Sequence, residues 1–271
     1  MAKVVIFSGA GISAESGLST FRDADGLWEK YRIEEICTAG CLNWNRENTL
    51  SFYDARREQL DSVMPNAAHY AIAKLQEKYP KDIVIITQNV DDLFERAGCK
   101  DILHLHGFLP RLRCEACGTT HLIGYTKQSR ELRCQNCGGS FRPDIVFFGE
   151  AAPMYEHLYD AMQDCEFLAI IGSSGNVIAM DHFARHVKIS ILNNLEKSDA
   201  INERVYTKVL YKKATEAIDE IVVDVERFLK TWIAKREASF LGFIEQNIHT
   251  KKAKTMDKFL EAAIEEAQKG F

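Results

Sequence analysis

Lys3-Val4-Val5-Ile6-Phe7-Ser8-Gly9-Ala10-Gly11-Ile12-Ser13-Ala14 begins as a continuous apolar run and passes directly into a glycine turn. A short, β-branched run with no polar alternation reads as a strand buried on both faces. The turn fits G-x-G-x-x-G/A, where glycines let backbone N–H groups and a helix N-terminus approach a pyrophosphate. Alone the motif is weak. A dehydrogenase would also carry a second strand ending in an acidic residue about twenty positions on, whereas this chain continues as Ser16-Gly17-Leu18-Ser19-Thr20-Phe21-Arg22-Asp23, a loop.

Runs of the same character recur at Asp82–Thr87, Ile102–Leu105, Phe167–Ile171, Lys188–Leu192 and Lys208–Tyr211, with helix-length segments between them. Apolar strands alternating with helices predict an α/β fold, a parallel sheet with helices on both faces. Such sheets bind ligands beyond the carboxyl ends of their strands. Those ends here carry Gln88-Asn89-Val90-Asp91-Asp92, His106-Gly107, Gly172-Ser173-Ser174-Gly175-Asn176-Val177 and Asn193-Asn194. The amides and carboxylate of Gln88, Asn89 and Asp91 can fix sugar hydroxyls and a carboxamide, and one of them can also cap the next helix. An imidazole at a strand end is a natural general base. His104 and His106, two apart, share a strand face, so spacing does not choose between them.

Between these runs lie Cys114, Cys117, Cys134 and Cys137, two C-x2-C pairs sixteen residues apart, each followed by glycine. This is zinc-knuckle spacing. Four thiolates leave the metal no open position, so one structural Zn2+ is expected and zinc-activated hydrolysis is not. Residues 111–142 are too few for a core of their own, and metal binding supplies the missing folding free energy. They read as a small zinc-binding module inserted in the larger domain. A second insertion, over about 23–64, contains a helix expected from Glu47 to Val63.

The 271 residues are 46% hydrophobic, enough for one large and one small domain, and carry a net charge of −5. That balance gives no global drive toward nucleic acid or an anionic membrane. Within the zinc module Arg113, Lys127, Arg130, Arg133 and Arg142 outnumber Glu115 and Glu131, but only Tyr125 and Phe141 are available for stacking. An interaction ribbon is therefore the reading from another class, and DNA binding ranks low. The other four of the eight cysteines, Cys37, Cys41, Cys99 and Cys165, show no disulfide-framework spacing, which fits a reducing compartment. No leader or spanning apolar segment is evident. A cytoplasmic monomer is expected.

Taken in order, Gly9-Ala10-Gly11-Ile12-Ser13-Ala14 through Arg22, Thr87-Gln88-Asn89-Val90-Asp91, His104-Leu105-His106-Gly107, the four cysteines, Arg142–Glu150 and Gly172–Val177 resemble the sirtuin family of NAD-dependent protein lysine deacylases. The resemblance covers roughly Lys3 to Trp232. It implies a Rossmann-like large domain and a small zinc module over 1–235, followed by a helical extension over 236–271. In the extension Phe240, Phe243, Ile244 and Ile248 fall at helical spacing. NAD+ is implied as a co-substrate and acyl-lysine proteins or peptides as partners.

By that resemblance Gly9, Ala10, Gly11 and Ser13 line the NAD phosphates, Phe21 covers the nicotinamide ribose and Arg22 lies near the phosphates. Gln88, Asn89 and Asp91 orient the ribose and carboxamide, with Asn89 joining His106 in catalysis. The family pattern puts its base directly before the glycine, which selects His106. Gly172, Ser173 and Ser174 contact the adenosine half, with Asn194 and Ala214 near its ribose and base. The chain departs from the family in having Ser173 for the usual Thr and Ile178-Ala179-Met180 where a Pro usually follows Val177. Val146, Phe147, Phe148 and Gly149, with Glu150, pair with the substrate backbone as an added strand.

The implied reaction gives nicotinamide, free lysine and 2'-O-acyl-ADP-ribose. A mono-ADP-ribosyltransferase would use much the same site. Tyr53 and Arg56, three apart on the second insertion's helix, resemble the Tyr-x-x-Arg pair of the desuccinylase branch. A guanidinium with a phenol suits the terminal carboxylate of succinyl- or malonyl-lysine, and Arg57 then faces elsewhere.

Overall fold

The computed structural model describes residues 3–18 and 32–239. Phe21 and Arg22 lie outside them, as does the apolar stripe from Phe240 onward. By its internal contacts the chain divides into Met1–Val223 and Asp224–Phe271.

The first unit is organised by six parallel strands in the order β3-β2-β1-β7-β8-β9. These are β1 (Val4–Ser8), β2 (Ile83–Thr87), β3 (Leu103–His104), β7 (Phe167–Ile171), β8 (Ile189–Asn194) and β9 (Lys208–Tyr211). Every residue of β1 and β7 is buried, as the absence of polar alternation requires. Phe7, Leu105, Leu168, Ile170 and Leu192 pack on one another in the main core. The chain first runs outward from β1 to β2 and β3, then crosses to β7 and continues the other way. The order therefore reverses between β1 and β7, and the crevice at such a switch point is where parallel sheets take ligands.

The third strand is shorter than its apolar run, Ile102–Leu105, suggests. Leu105 gives one last bond to the sheet, N–H to the Thr87 carbonyl at 2.9 Å. Gly107 then turns the chain away at φ +97°, where a Cβ would lie 2.0 Å from the Asp144 carbonyl oxygen. His106 accordingly sits in a turn, and does not end a strand.

Gly107 starts a second sheet, β4 (Gly107–Cys114), β5 (Thr120–Leu122) and β6 (Phe141–Ile145), antiparallel in the order β5-β4-β6. Its buried apolar set is Leu112, Cys114, Cys134 and Phe141. The expected helix forms over Arg46–Ser62. Phe52, Tyr53 and Leu60 from it pack with Leu109, Ile145 and Phe147. Arg57, wholly buried, binds Asp54 at 2.6 Å and the carbonyls of Thr126 and Leu109. Asp54 also accepts from Gln128 N–H and Arg130, fastening this helix to the segment that leads into the second cysteine pair. A buried pair of this kind holds geometry, since loss of one partner costs about 3 to 5 kcal/mol.

In the second unit residues 224–239 are helical. Arg227–Asp224 and Lys230–Glu226 pair along it and Arg236 lies over Trp232. No helix among the described residues is long and apolar enough to cross a membrane.

Candidate active site and zinc knuckle

At the carboxyl edge of the parallel sheet the turns after β1 and β7 lie in direct contact. Gly9 N–H bonds the Ile171 carbonyl at 3.0 Å and Gly11 N–H the Gly172 carbonyl at 2.9 Å. A Cβ on Gly172, whose φ is +66°, would lie 2.4 Å from Ile12 N and 2.6 Å from Gly11 Cα. Two glycine turns at van der Waals limit thus expose backbone where side chains would otherwise stand.

Around them the polar groups are joined across the strands. Ser173 Oγ donates to Gln88 Oε1 at 2.8 Å, so the serine hydroxyl is in use here. Asn194 Nδ2 donates to the Ser173 carbonyl at 2.8 Å and Ser198 Oγ to that of Ser174, while Ala214 is buried. Ser13 Oγ receives Asn89 Nδ2–H at 3.0 Å and donates to Asp91 Oδ2 at 3.0 Å. Burial pushes Asp91 upward, against the bonds from Leu93 N–H and Ser13. Its Oδ1 accepts from Leu93 N–H at 3.2 Å, an Asx-type bond one residue ahead of the helix N-cap, Asp92, which makes no side-chain cap bond of its own. Ser13, Asn89 and Asp91 therefore form one hydrogen-bonded set, and Gln88, Ser173 and Asn194 a second.

The two histidines have different surroundings. His104 meets Glu95 Oε1 through Nε2 at 2.8 Å and the Asn89 carbonyl through Nδ1 at 2.9 Å. Burial opposes its charge, but the Glu95 carboxylate holds it above the ordinary histidine value. It is committed as a partly buried ion pair. Burial lowers His106, partly offset by its bond to the Gln88 carbonyl. That carbonyl, 3.0 Å from Nδ1, can only accept. It fixes the Nδ1–H tautomer and leaves Nε2 with a basic lone pair. Geometry thus separates two residues that spacing could not.

Tyr53 is buried, its hydroxyl 3.3 Å from Cys37 Sγ and its ring stacked on Phe147 at 5.7 Å. Burial pushes the Cys37 thiol to about 11, so the thiol stays protonated. Arg56 is half-buried and donates to Gln59 Oε1 at 3.0 Å; burial lowers it, partly offset by the Asp91 carboxylate. Phe147, from the segment after β6, joins them. Phe148 N–H and C=O are bonded to Cys37 and Ala39, and Val146 N–H to the His106 carbonyl. Of the four residues expected to pair with a substrate backbone, Phe147 and Phe148 have both N–H and C=O engaged within the chain, and Val146 its N–H. Glu150 instead clamps Arg142 at 2.6 Å and accepts from Phe147 N–H.

Away from this edge the sulfurs of Cys114, Cys117, Cys134 and Cys137 lie within 4.8 Å of one another, with Cys114–Cys137 at 3.5 Å and Cys117–Cys134 at 3.6 Å. Four thiolates bound to zinc have sulfur–sulfur edges of about 3.8 Å. The cluster fits a structural zinc.

Sequence reasoning missed His69, Cys37 and Tyr155. His69 is fully buried, 3.5 Å from Ser13 Oγ, and closes a capping box with Asn66. The Asn66-to-His69 spacing was a usable signal for it. Cys37 and Tyr155 lie on segments with no local motif.

Residues 9–179 match the model of the Sir2 family. An NAD-dependent protein deacylase of Campylobacter jejuni (strain RM1221) is 48% identical over 231 residues, which is 85% of this chain and 98% of that one. Among solved structures, a Sir2 homologue mutant in complex with ADP-ribose superposes with a TM-score of 0.74 at 31% identity, covering 84% of this chain and 93% of that one. A Sir2 homologue in complex with NAD gives 0.71 at 31% identity, covering 83% and 90%.

Proposed function

The chain belongs to the Sir2 family, and on that premise we propose that it removes acyl groups from protein lysine side chains at the expense of NAD. The observation that carries the catalytic assignment is the His106 imidazole. It is neutral, locked in one tautomer by Gln88 and free of any carboxylate partner among the described residues. The two sets, Ser13 with Asn89 and Asp91 and Gln88 with Ser173 and Asn194, support NAD binding at the switch point, with Gln88, Asn89 and Asp91 toward the reacting ribose. Gly9, Ala10 and Gly11 serve the phosphates, and Gly172, Ser173, Ser174 and Ala214 the adenosine half.

In this reading the acyl oxygen attacks the anomeric carbon as nicotinamide departs. His106 Nε2 takes the proton of a ribose hydroxyl, which attacks the resulting imidate, and water completes release of free lysine and 2'-O-acyl-ADP-ribose. The zinc stays outside the chemistry and supports the module into which Arg57 and Arg130 lock the Arg46–Ser62 helix. All eight cysteines are free in the fold, which supports a reducing, cytoplasmic setting; we take the enzyme as a monomer.

We further propose that the acyl group includes succinyl and malonyl. Tyr53, held by Phe147 and Cys37, and Arg56, bonded to Gln59, stand on one helix, and a terminal carboxylate would gain a charge-assisted bond from the guanidinium. Arg57 is turned away and consumed by Asp54.

The test is mass spectrometry of acetyl- and succinyl-lysine peptides incubated with the protein and NAD, with His106→Tyr as the control. Succinyl removal with formation of O-acyl-ADP-ribose, abolished in the control, is expected. Labelled protein in place of O-acyl-ADP-ribose would mean ADP-ribosyl transfer. Arg56→Met should cost the succinyl substrate about 2 to 4 kcal/mol in kcat/KM and leave acetyl turnover far less affected. An unchanged ratio sinks the acidic-acyl reading.

A further inference from the structure

His106 Nε2, the one imidazole atom able to accept a proton, has an occupant. Tyr155 Oη lies 2.9 Å away, its ring tilted by 45° with centroids 6.0 Å apart. Because Nδ1 donates to the Gln88 carbonyl, Nε2 is the acceptor and the phenol the donor. Tyr155 begins the helix Tyr155–Gln163, and its ring packs partly buried against the main core. Burial pushes the phenol above its ordinary value, so it stays a neutral O–H donor at working pH.

A ribose hydroxyl that surrenders its proton to His106 must stand where the phenol now stands, since one lone pair accepts one such bond. We propose that Tyr155 is a positioning residue for the base: its hydroxyl substitutes for the ribose hydroxyl before NAD binds, holding the imidazole ring in its productive orientation, and is displaced by the sugar. The phenol keeps the buried nitrogen satisfied, which an empty site would not. NAD must replace that contact, so Tyr155 trades affinity for a base aligned in advance. This rests on the assignment of His106 as base.

The surroundings of His106 are otherwise quiet. No charged neighbour contributes to its value, which burial lowers and the bond to the Gln88 carbonyl partly restores. His104 is occupied by Glu95, and the Asp144 carboxylate, on the strand facing Gly107, by Arg111 and Arg113. A hydrogen bond donated to Nε2 favours the neutral ring, so removing it raises the pKa of His106.

Tyr155→Phe keeps the ring and its packing and deletes the donor. In steady-state deacylation the KM for NAD should fall roughly three- to tenfold, the worth of one hydrogen bond, with kcat within about twofold. The acid limb of kcat/KM should move to higher pH by about half to one unit. Nitrogen-15 NMR titration of His106 in the NAD-free protein should show the same rise. A KM and acid limb equal to wild type, with His106→Ala inactive, would overturn the role of Tyr155 and keep His106 as base. A fall in kcat at unchanged KM would make Tyr155 a proton relay and overturn displacement. If His106→Ala retains turnover, the base assignment and this inference fail together.

Discussion

At the sheet edge, Gly9, Gly11 and Gly172 are pressed together by β1 and β7, strands whose residues are all buried. Around the knuckle the buried apolar set is Leu112, Cys114, Cys134 and Phe141, and half of it is cysteine. The first region takes its precision from packing, which exists without any ligand. The second has too little apolar area to fold by burial and needs the metal. The knuckle is also tied by charge to the Arg46–Ser62 helix: Arg57, Asp54 and Arg130 across a buried contact, and Arg46 with Glu115 nearer the surface. The difference teaches that a site can be stiff for two unrelated reasons, and that each reason has its own way of failing.

Removing zinc tests this most severely. A strong chelator should withdraw about 10 kcal/mol or more of binding free energy. Hydrogen exchange should then rise across 107–145 while the amides of β1, β2 and β7 stay protected. Simultaneous loss of protection in both regions would mean that the sheet edge also leans on the metal.

The packing side is attacked by Gly172→Ala. Its Cβ would overlap backbone at 2.4 Å and 2.6 Å from a left-handed conformation. Overlap and strain together should remove about 4 kcal/mol in a urea titration, with zinc content unchanged. A smaller loss would show that the two turns can separate.

Acid should distinguish the regions again. Burial holds His69 down at about 4 from the ordinary 6.5. A histidine lowered in the fold contributes fully above its unfolded value. That contribution, about 3 kcal/mol, is lost as pH falls from 6.5 toward 4. His69→Gln should flatten this part of the stability curve, and an unaltered slope would place the acid-sensitive group elsewhere. Least of all, Arg46→Ala breaks a half-exposed pair with Glu115 and should change stability by under about 1 kcal/mol. A larger drop in melting temperature would make the surface junction a structural element.

Much of this was legible in the chain. The six apolar runs became six parallel strands because a sheet covered on both faces admits few polar side chains. The knuckle was readable because thiolate spacing is a local property, as was the Arg46–Ser62 helix within one residue. The end of β3 was less so, because Gly107 turns the chain for lack of room beside Asp144, a residue from β6. Cys37 and Tyr155 carried no local signal at all.

The sequence by itself determined an α/β sheet, a metal knuckle, glycine turns and two histidines two residues apart. Only the tertiary structure decided that His106 has its basic nitrogen under Tyr155 while His104 is spent on Glu95. It alone showed that Ser173 grips Gln88 and that Arg57 rather than Arg56 is consumed by Asp54. Local periodicity and covalent spacing fix the elements, whereas a hydrogen bond of 3 Å or less, such as Ser173–Gln88 at 2.8 Å, depends on strand order. Strand order is set by how the whole core closes.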